Sequence, residues 1–362
     1  MNKITIGIIG AGYIGKEHAR TIRLVQNFFG NSVSLVGIAD KNKKAAEDAA
    51  RHFQISYATD DIDAVINDAR INTIFVCLPT AFHIDVVRKV AAAGKNIFCE
   101  KPFAVSLEKA KEVHQLLVKN KIRHQVGFVL RYTPAYHALK KIIEQRAEES
   151  DLRTILLRDD QVFPIKGLSH FTDWRSNVEL AGAGVLAEHG IHDIDILEWF
   201  FGKMKRVSAR IKNYAGHKGI EDYMEVRFET EKGVAGNMVH LWHEIQAHQS
   251  IRHFEIFFQK ALIEADTYDM HHISVRDSAA LHIYERPDLY AMIKNDPLFK
   301  DISHREDVVF LADYYACQVY WFLRNLLEGA PLTPTIDDGL RAFVIADACY
   351  RSAAKDSEWI MV

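Results

Sequence analysis

Ile4-Thr5-Ile6-Gly7-Ile8-Ile9-Gly10-Ala11-Gly12-Tyr13-Ile14-Gly15 decides the fold of this chain. An apolar run ends in a G-x-G-x-x-G turn, and a helical pattern follows. Alone the glycine spacing is weak. It gains force when a strand precedes it, a helix follows, and an acidic residue closes the next strand about 20 residues on. Here the second apolar run, Ser34-Leu35-Val36-Gly37-Ile38-Ala39, ends at Asp40. That arrangement suits a dinucleotide. Glycines let the backbone approach a pyrophosphate, and the helix N-terminus offers unpaired N–H groups and the positive end of its dipole. Gly10, Gly12, Tyr13, Ile14, Gly15 and Asp40 are therefore cofactor-binding candidates. Asp40 suits a ribose with both hydroxyls free and repels a 2′-phosphate, which favours NAD. Lys41, Lys43 and Lys44 leave NADP open.

Working outward, strand and helix signals alternate through the first third. Short, nearly all-apolar runs fall at 4–9, 34–39, 73–78, 96–99 and 124–129, as in parallel strands covered on both faces. Helical patterns at 14–25, 43–52, 84–93 and 107–120 lie between them, the last capped by Ser106. This predicts a doubly wound parallel sheet over residues 1–123. From 124 to 362 the character changes. Pro134 opens a helix to Glu149, and a strand is read over 154–163. Residues 180–201 contain a strongly helical stretch ending at Gly202. Alternating runs follow at 207–214, 223–230, 233–243, 254–258, 261–265 and 281–284, and helices at 305–328 and 337–354 close the chain. The second domain is thus an α+β unit with a large, mainly antiparallel sheet, open on one face. That face predicts a dimer or tetramer.

The bulk numbers fit this organisation. A chain of 362 residues is expected to form two domains. Its 48% hydrophobic and 26% charged residues are ordinary for a globular protein. A net charge of −3 gives no reason to expect nucleic acid or an anionic membrane. No apolar run approaches the roughly 20 residues of a membrane span. Cys77, Cys99, Cys317 and Cys349 form no C-x-x-C pair and read as reduced core residues of a cytoplasmic protein.

Three further constellations carry chemistry. Leu78-Pro79-Thr80-Ala81-Phe82-His83 sits at the C-terminal end of a parallel strand, where open α/β sheets bind ligands; Leu78, Pro79, Thr80 and His83 are cofactor candidates. Glu100-Lys101-Pro102 ends the next strand, and both charges belong in a cleft because burial without partners is costly. Lys101 can donate to a substrate hydroxyl and steady alkoxide character. In the third, Gly182–Asp195, Glu188 and His192 stand four residues apart, which on a regular helix shares one face. A carboxylate and an imidazole so placed suit proton transfer near neutral pH. No zinc-type H-E-x-x-H occurs, and no metal is expected. His189 reads as packing or rim. Arg131 is a cofactor candidate whose alternative is an ion pair. Asp159, Gln161, Trp174 and Arg175 are substrate candidates, the last two because an aromatic with a fork donor suits a sugar ring. His240-Leu241-Trp242-His243 reads as a structural strand, and His271-His272 as a solvated loop pair.

With these four motifs in this order, the chain resembles the Gfo/Idh/MocA oxidoreductases, named for glucose-fructose oxidoreductase and inositol dehydrogenase. The resemblance implies a Rossmann domain followed by an open-faced sheet domain that builds the substrate pocket and often the oligomer interface. It implies NAD(P)-dependent oxidation or reduction of a sugar or polyol. By position, Lys101 matches the family's active-site lysine and His192 the histidine that moves the hydroxyl proton. Glu188 falls where many family dehydrogenases have aspartate, which bears on the substrate more than on the reaction. Two other outcomes are compatible: a hydrolase or lyase that keeps NAD bound and oxidises its substrate transiently, and a non-catalytic NAD-dependent sensor.

Overall fold

The computed structural model describes residues 3–266, 272–300 and 313–362, in two compact units. One unit takes the chain to Tyr132 and a later piece ending at Leu340. The other runs from Thr133 and is completed by Arg341–Val362.

The first unit is built on a six-stranded parallel sheet: β1 (Ile4–Ile9), β2 (Val33–Ala39), β3 (Tyr57–Thr59), β4 (Thr73–Val76), β5 (Asn96–Cys99) and β6 (His124–Val126), in the order β3-β2-β1-β4-β5-β6. Every ladder is parallel. The order reverses direction at β1, so β1 and β4 carry the switch point where such sheets take ligands. The helices Tyr13–Gln26, Lys43–His52, His83–Ala92 and Leu107–Lys119 fall within a residue or so of the periodicity. Ser106 accepts from the Lys109 N–H at 3.3 Å, the expected cap. Strand β3 and the helix Ile62–Ile66 escaped the sequence reading, because so few residues leave no period to detect. The core is aromatic. Phe75 and Phe98 stack at 4.7 Å, and Phe322, on the returning helix Tyr314–Glu328, meets both edge-on at 5.5 and 5.3 Å.

The second unit has a nine-stranded sheet. Its strands are β7 (Leu152–Val162), β8 (Met204–Lys212), β9 (Tyr223–Thr230), β10 (Ala235–His243), β11 (Ile251–Phe258), β12 (Ala261–Asp266), β13 (His272–Asp277), β14 (Leu281–Glu285) and β15 (Ile360–Met361). They run in the order β14-β13-β12-β11-β7-β10-β9-β8-β15, antiparallel throughout except β7 against β10. The strict alternation of β9, β10 and β11 buries one face. The opposite face is mixed, with half-buried Leu156, Val239, Leu241 and Phe257 on the central strands and charged residues toward β8. Arg206 pairs with Glu229, and Arg206 and Arg227 lie 4.6 and 5.5 Å from the Trp359 ring. Exposed aliphatics gather instead on β14, at Leu281 and Ile283.

One sequence expectation needs correction. His272 opens strand β13 rather than sharing a loop, while His271 lies outside the described residues. The helical stretch expected to end at Gly202 is the α-helix Ile191–Phe201, and before it the chain breaks into a short helix, Val178–Ala181, and a π-helical turn, Leu186–Gly190. Glycine causes the break. Gly182 takes φ +83°, outside the range a helix allows, and a Cβ on Gly184 would stand 1.9 Å from the Glu221 carbonyl oxygen. The closing helix runs Ile336–Ala353, and of the expected 305–328 helix the part described is Tyr314–Glu328.

Candidate active site

In the first unit the glycine turn is shaped by contact on one side and left open on another. A Cβ on Gly10 would lie 2.1 Å from the Cys77 carbonyl oxygen, and one on Gly15 would lie 1.9 Å from that of Gly10. Those glycines let the turn pack on the strand. A Cβ on Gly12 would meet nothing within 4 Å. Gly12 also caps the helix without a side-chain bond, so its first N–H groups are presented rather than consumed. Asp40 ties the turn: Oδ2 accepts from the Ala11 N–H at 2.7 Å and Oδ1 from the Asn42 N–H at 2.8 Å. Each oxygen keeps a further lone pair for a ribose hydroxyl. This donor and acceptor set fits a dinucleotide.

The loops after β4 and β5 are stitched together by His83. Its Nδ1 lies 2.8 Å from the Pro102 carbonyl oxygen and its Nε2 2.8 Å from that of Leu78. His83 is buried, so it acts by fixing the two loops that carry Pro79-Thr80 and Lys101. Glu100 is buried as well. Its Oε1 lies 2.7 Å from His18 Nε2, and its Oε2 accepts the Lys101 N–H at 3.2 Å. The motif reading gave Glu100 to the cofactor. The structure gives its carboxylate the task of holding the Lys101 turn, with His18 as a partner the sequence did not signal. Arg131 reaches Asp338 with Nη2 at 3.1 Å, the ion-pair alternative.

In the second unit the π-turn carries Glu188 and His189, and His192 follows on the first turn of the α-helix. The wider π-turn replaces the regular spacing assumed from sequence. Such turns recur at functional sites because they re-aim side chains without ending the helix. Glu221 clamps this turn. Its carboxylate accepts from the N–H groups of Gly184 at 2.8 Å and Leu186 at 3.1 Å, and from the Tyr350 hydroxyl at 2.7 Å. Burial pushes the Glu221 carboxyl up from its ordinary range, against those three donors. Glu188 is 1% exposed and receives Arg175 Nε at 3.3 Å, and the Arg175 guanidinium stacks on Trp174 at 4.2 Å. The structure therefore brings together three of the residues expected at the substrate: Trp174, Arg175 and Glu188.

Asp159 is a correction to the expected substrate contacts. It is buried on the helix-covered face of β7, where its Oδ2 meets His189 Nε2 at 2.9 Å and Arg252 Nη2 at 2.5 Å. Arg252 also grips Asp193, through Nε at 2.9 Å and Nη2 at 3.1 Å. Burial alone would raise the Asp159 carboxyl, but Arg252 and His189 hold it well below the usual range. Burial drives Asp193 the other way, with Arg252 opposing and Asp159 adding to the rise. His240 stands 3.3 Å from Asp193, and burial pushes its imidazole down to about 3. Asp159, His189 and His240 are metal-ligand types within reach of one another. The Arg252 guanidinium already supplies the cation there. Sequence reading missed Arg252, whose signal is only a basic residue on a buried strand position.

Comparison with known proteins accounts for both halves. Residues 4–128 match the oxidoreductase family model described as an NAD-binding Rossmann fold, and residues 155–362 match its C-terminal alpha/beta domain. The chain belongs to the Gfo/Idh/MocA oxidoreductase family. Among its relatives, the levoglucosan dehydrogenase of Pseudarthrobacter phenanthrenivorans is 26% identical, over 100% of this chain and 99% of that protein. The inositol 2-dehydrogenase of Paracoccus denitrificans is 29% identical over 99% of this chain and 96% of its own length. The fold of levoglucosan dehydrogenase in complex with NADH and levoglucosan superposes with a TM-score of 0.86 at 23% identity, covering 100% of both chains. This Gfo/Idh/MocA protein is thus an NAD-binding oxidoreductase, and among its described residues no helix is long and apolar enough to cross a membrane.

Proposed function

We propose that this protein is a dehydrogenase that oxidises a secondary hydroxyl of a sugar or polyol with NAD. The observation that carries the reading is the π-turn site. It carries a buried carboxylate, Glu188, on the π-turn and a buried imidazole, His192, on the helix that follows, and it holds Glu188 with an arginine stacked on tryptophan. A ring-stacking indole with fork donors and a general base suits a hydroxylated ring. Gly10, Gly12, Gly15 and Asp40 would hold NAD, with Tyr13, Ile14 and the Leu78–His83 loop around it. When bound, NAD supplies the hydride acceptor. His192 takes the hydroxyl proton, Lys101 donates to the oxygen as negative charge develops, and Glu188, held by Arg175, fixes a neighbouring hydroxyl or His192 itself. Dehydrogenase relatives acting on levoglucosan and inositol support the substrate class.

The division of labour we propose assigns the cofactor to the N-terminal domain and the substrate to the C-terminal one. A homodimer or homotetramer through the open sheet face, in the cytoplasm, completes the reading, supported by four buried free thiols and by the aliphatic rim on β14. The experiment is the rise of NADH absorbance with NAD and NADP in parallel, over inositols, aldoses, sugar acids and glycosides. Reduction with one substrate supports the proposal. Silence across the panel, with NAD found bound to the purified protein, replaces it by a hydrolase or lyase that oxidises its substrate only transiently.

A further inference from the structure

The residue that follows Glu188 and the residue that follows His192 are anchored to the same place on the sheet. His189 Nε2 lies 2.9 Å from Asp159 Oδ2. Asp193 Oδ2 accepts from Arg252 Nη2 at 3.1 Å, and its Oδ1 lies 2.9 Å from Arg252 Nε. The anchor is one row of side chains across three neighbouring strands. His240 on β10 and Arg252 on β11 each stand in register with Asp159 on β7. Arg252 Nη2 closes the row on Asp159 at 2.5 Å, and His240 Nε2 stands 3.3 Å from Asp193. The Asp159, Asp193 and His240 side chains are 0% exposed, and that of Arg252 is 2% exposed.

Stability is a poor reason for such a row. Taking each ion out of water costs several kcal/mol, and apolar side chains of similar volume often hold a fold as well or better. What the row supplies is direction. Apolar contacts tolerate a small roll of a helix on a sheet, whereas a guanidinium fork fixes distance and angle together. A roll of about 10° about the helix axis moves a side-chain tip by about 1 Å. A misplacement of that size can cost a reaction about 100-fold. His189 lies on the π-turn and Asp193 on the α-helix after it, so the two ties hold both sides of the step between them.

We propose that Arg252 and Asp159 are positioning residues, which act through Asp193 and His189 to set the angles at which His192 and Glu188 leave the backbone; the inference rests on the dehydrogenase reading. Neither residue needs to touch the substrate. The row fixes the segment that carries the base and its neighbouring carboxylate, as Arg175 fixes the Glu188 side chain itself.

Arg252→Lys keeps the buried positive charge but offers one ammonium in place of the fork. The expected result is a kcat about 10-fold lower, with KM and NAD affinity unchanged. His189→Leu cuts the other tie at a ring that is 13% exposed, where the fold tolerates the change. It should raise KM about 10-fold, and His189→Gln, which keeps an N–H donor for Asp159, should restore most of that loss. A packing role alone predicts that glutamine does no better than leucine. That result, or an unchanged kcat in Arg252→Lys, overturns the proposal. If Arg252→Lys does not fold, the two His189 variants decide. Two readouts need no substrate. In histidine-15N-labelled protein the His192 ring signals should move in Arg252→Lys. Amide hydrogen exchange over Leu186–Asp195 should quicken in His189→Leu and return to the wild-type rate in His189→Gln. Fixed His192 signals, or exchange that glutamine does not restore, overturn the proposal even if no substrate is ever found. The expected signals with a silent substrate panel would condemn the dehydrogenase reading and leave the anchoring row standing.

Discussion

Arg175 donates to Glu188 at 3.3 Å while its guanidinium carbon sits 4.2 Å from the centre of the Trp174 ring, so the one buried carboxylate on the π-turn is held by a side chain that is itself held. A planar guanidinium can do both at once, and lysine cannot. Arg175→Met should lower kcat/KM by about 10-fold, roughly 1.4 kcal/mol, chiefly through KM. Glu188→Asp draws the carboxylate back from Arg175 by one methylene and should cost a similar factor. Steady-state kinetics on the substrate found in the panel checks both.

Lys101→Met should leave NAD binding intact and reduce kcat by about 100-fold or more, the scale of losing one donor to a developing oxyanion. Calorimetric titration with NAD beside turnover separates the two effects. Full activity in this variant would remove Lys101 from the mechanism.

The glycines should divide by task. Gly12→Ala adds a methyl where the protein has no atom within 4 Å, so it should fold normally and lose NAD affinity by about 10-fold or more. Gly15→Ala drives a Cβ into the Gly10 carbonyl oxygen and should cost about 1–3 kcal/mol of stability. Thermal melts with and without NAD distinguish the two outcomes.

His18→Phe should be more damaging than Glu100→Gln. Phenylalanine fits among Phe75 and Phe98, but it leaves the buried Glu100 carboxylate without its imidazole, a loss on the order of 3 kcal/mol. Gln at 100 can still bond to His18. Denaturant melts rank the two variants.

Glu221 makes a pH prediction. Its folded carboxyl is raised by burial, so the native state binds the proton more tightly than the unfolded chain does. Stability from this group is therefore full below the ordinary glutamate range. It falls as pH rises from that range through the raised folded value, and is constant above it. Glu221→Gln should flatten that part of the stability profile, whereas Glu221→Ala should loosen the π-turn and lower stability at every pH. Melting temperature against pH gives the slope.

The parallel sheet, the glycine turn and the Asp40 strand end were legible because each is a local signal. Apolar runs covered on both faces, a fixed glycine spacing and a capped helix need only neighbours in sequence. The alternating strands of the second sheet were legible for the same reason, since a solvated face enforces a period of two. What was not legible is the shape of the site. The run 180–201 contains a helical stretch, yet Gly184 must admit the Glu221 backbone, and that demand comes from a loop residue 37 positions away, just before β9.

Asp159 shows the same limit from the other side. As a polar residue near a strand end it reads as a ligand contact. Its partners, His189 and Arg252, lie 30 and 93 positions further along the chain, and they turn it into a buried counter-ion. The sequence alone determined the two fold types, a parallel sheet opened by a glycine turn and a mainly antiparallel sheet after it. Only tertiary structure decided which carboxylate meets solvent and which is paired, because the charge state of a buried group depends on groups that strand pairing brings to it, and sequence distance does not encode that pairing.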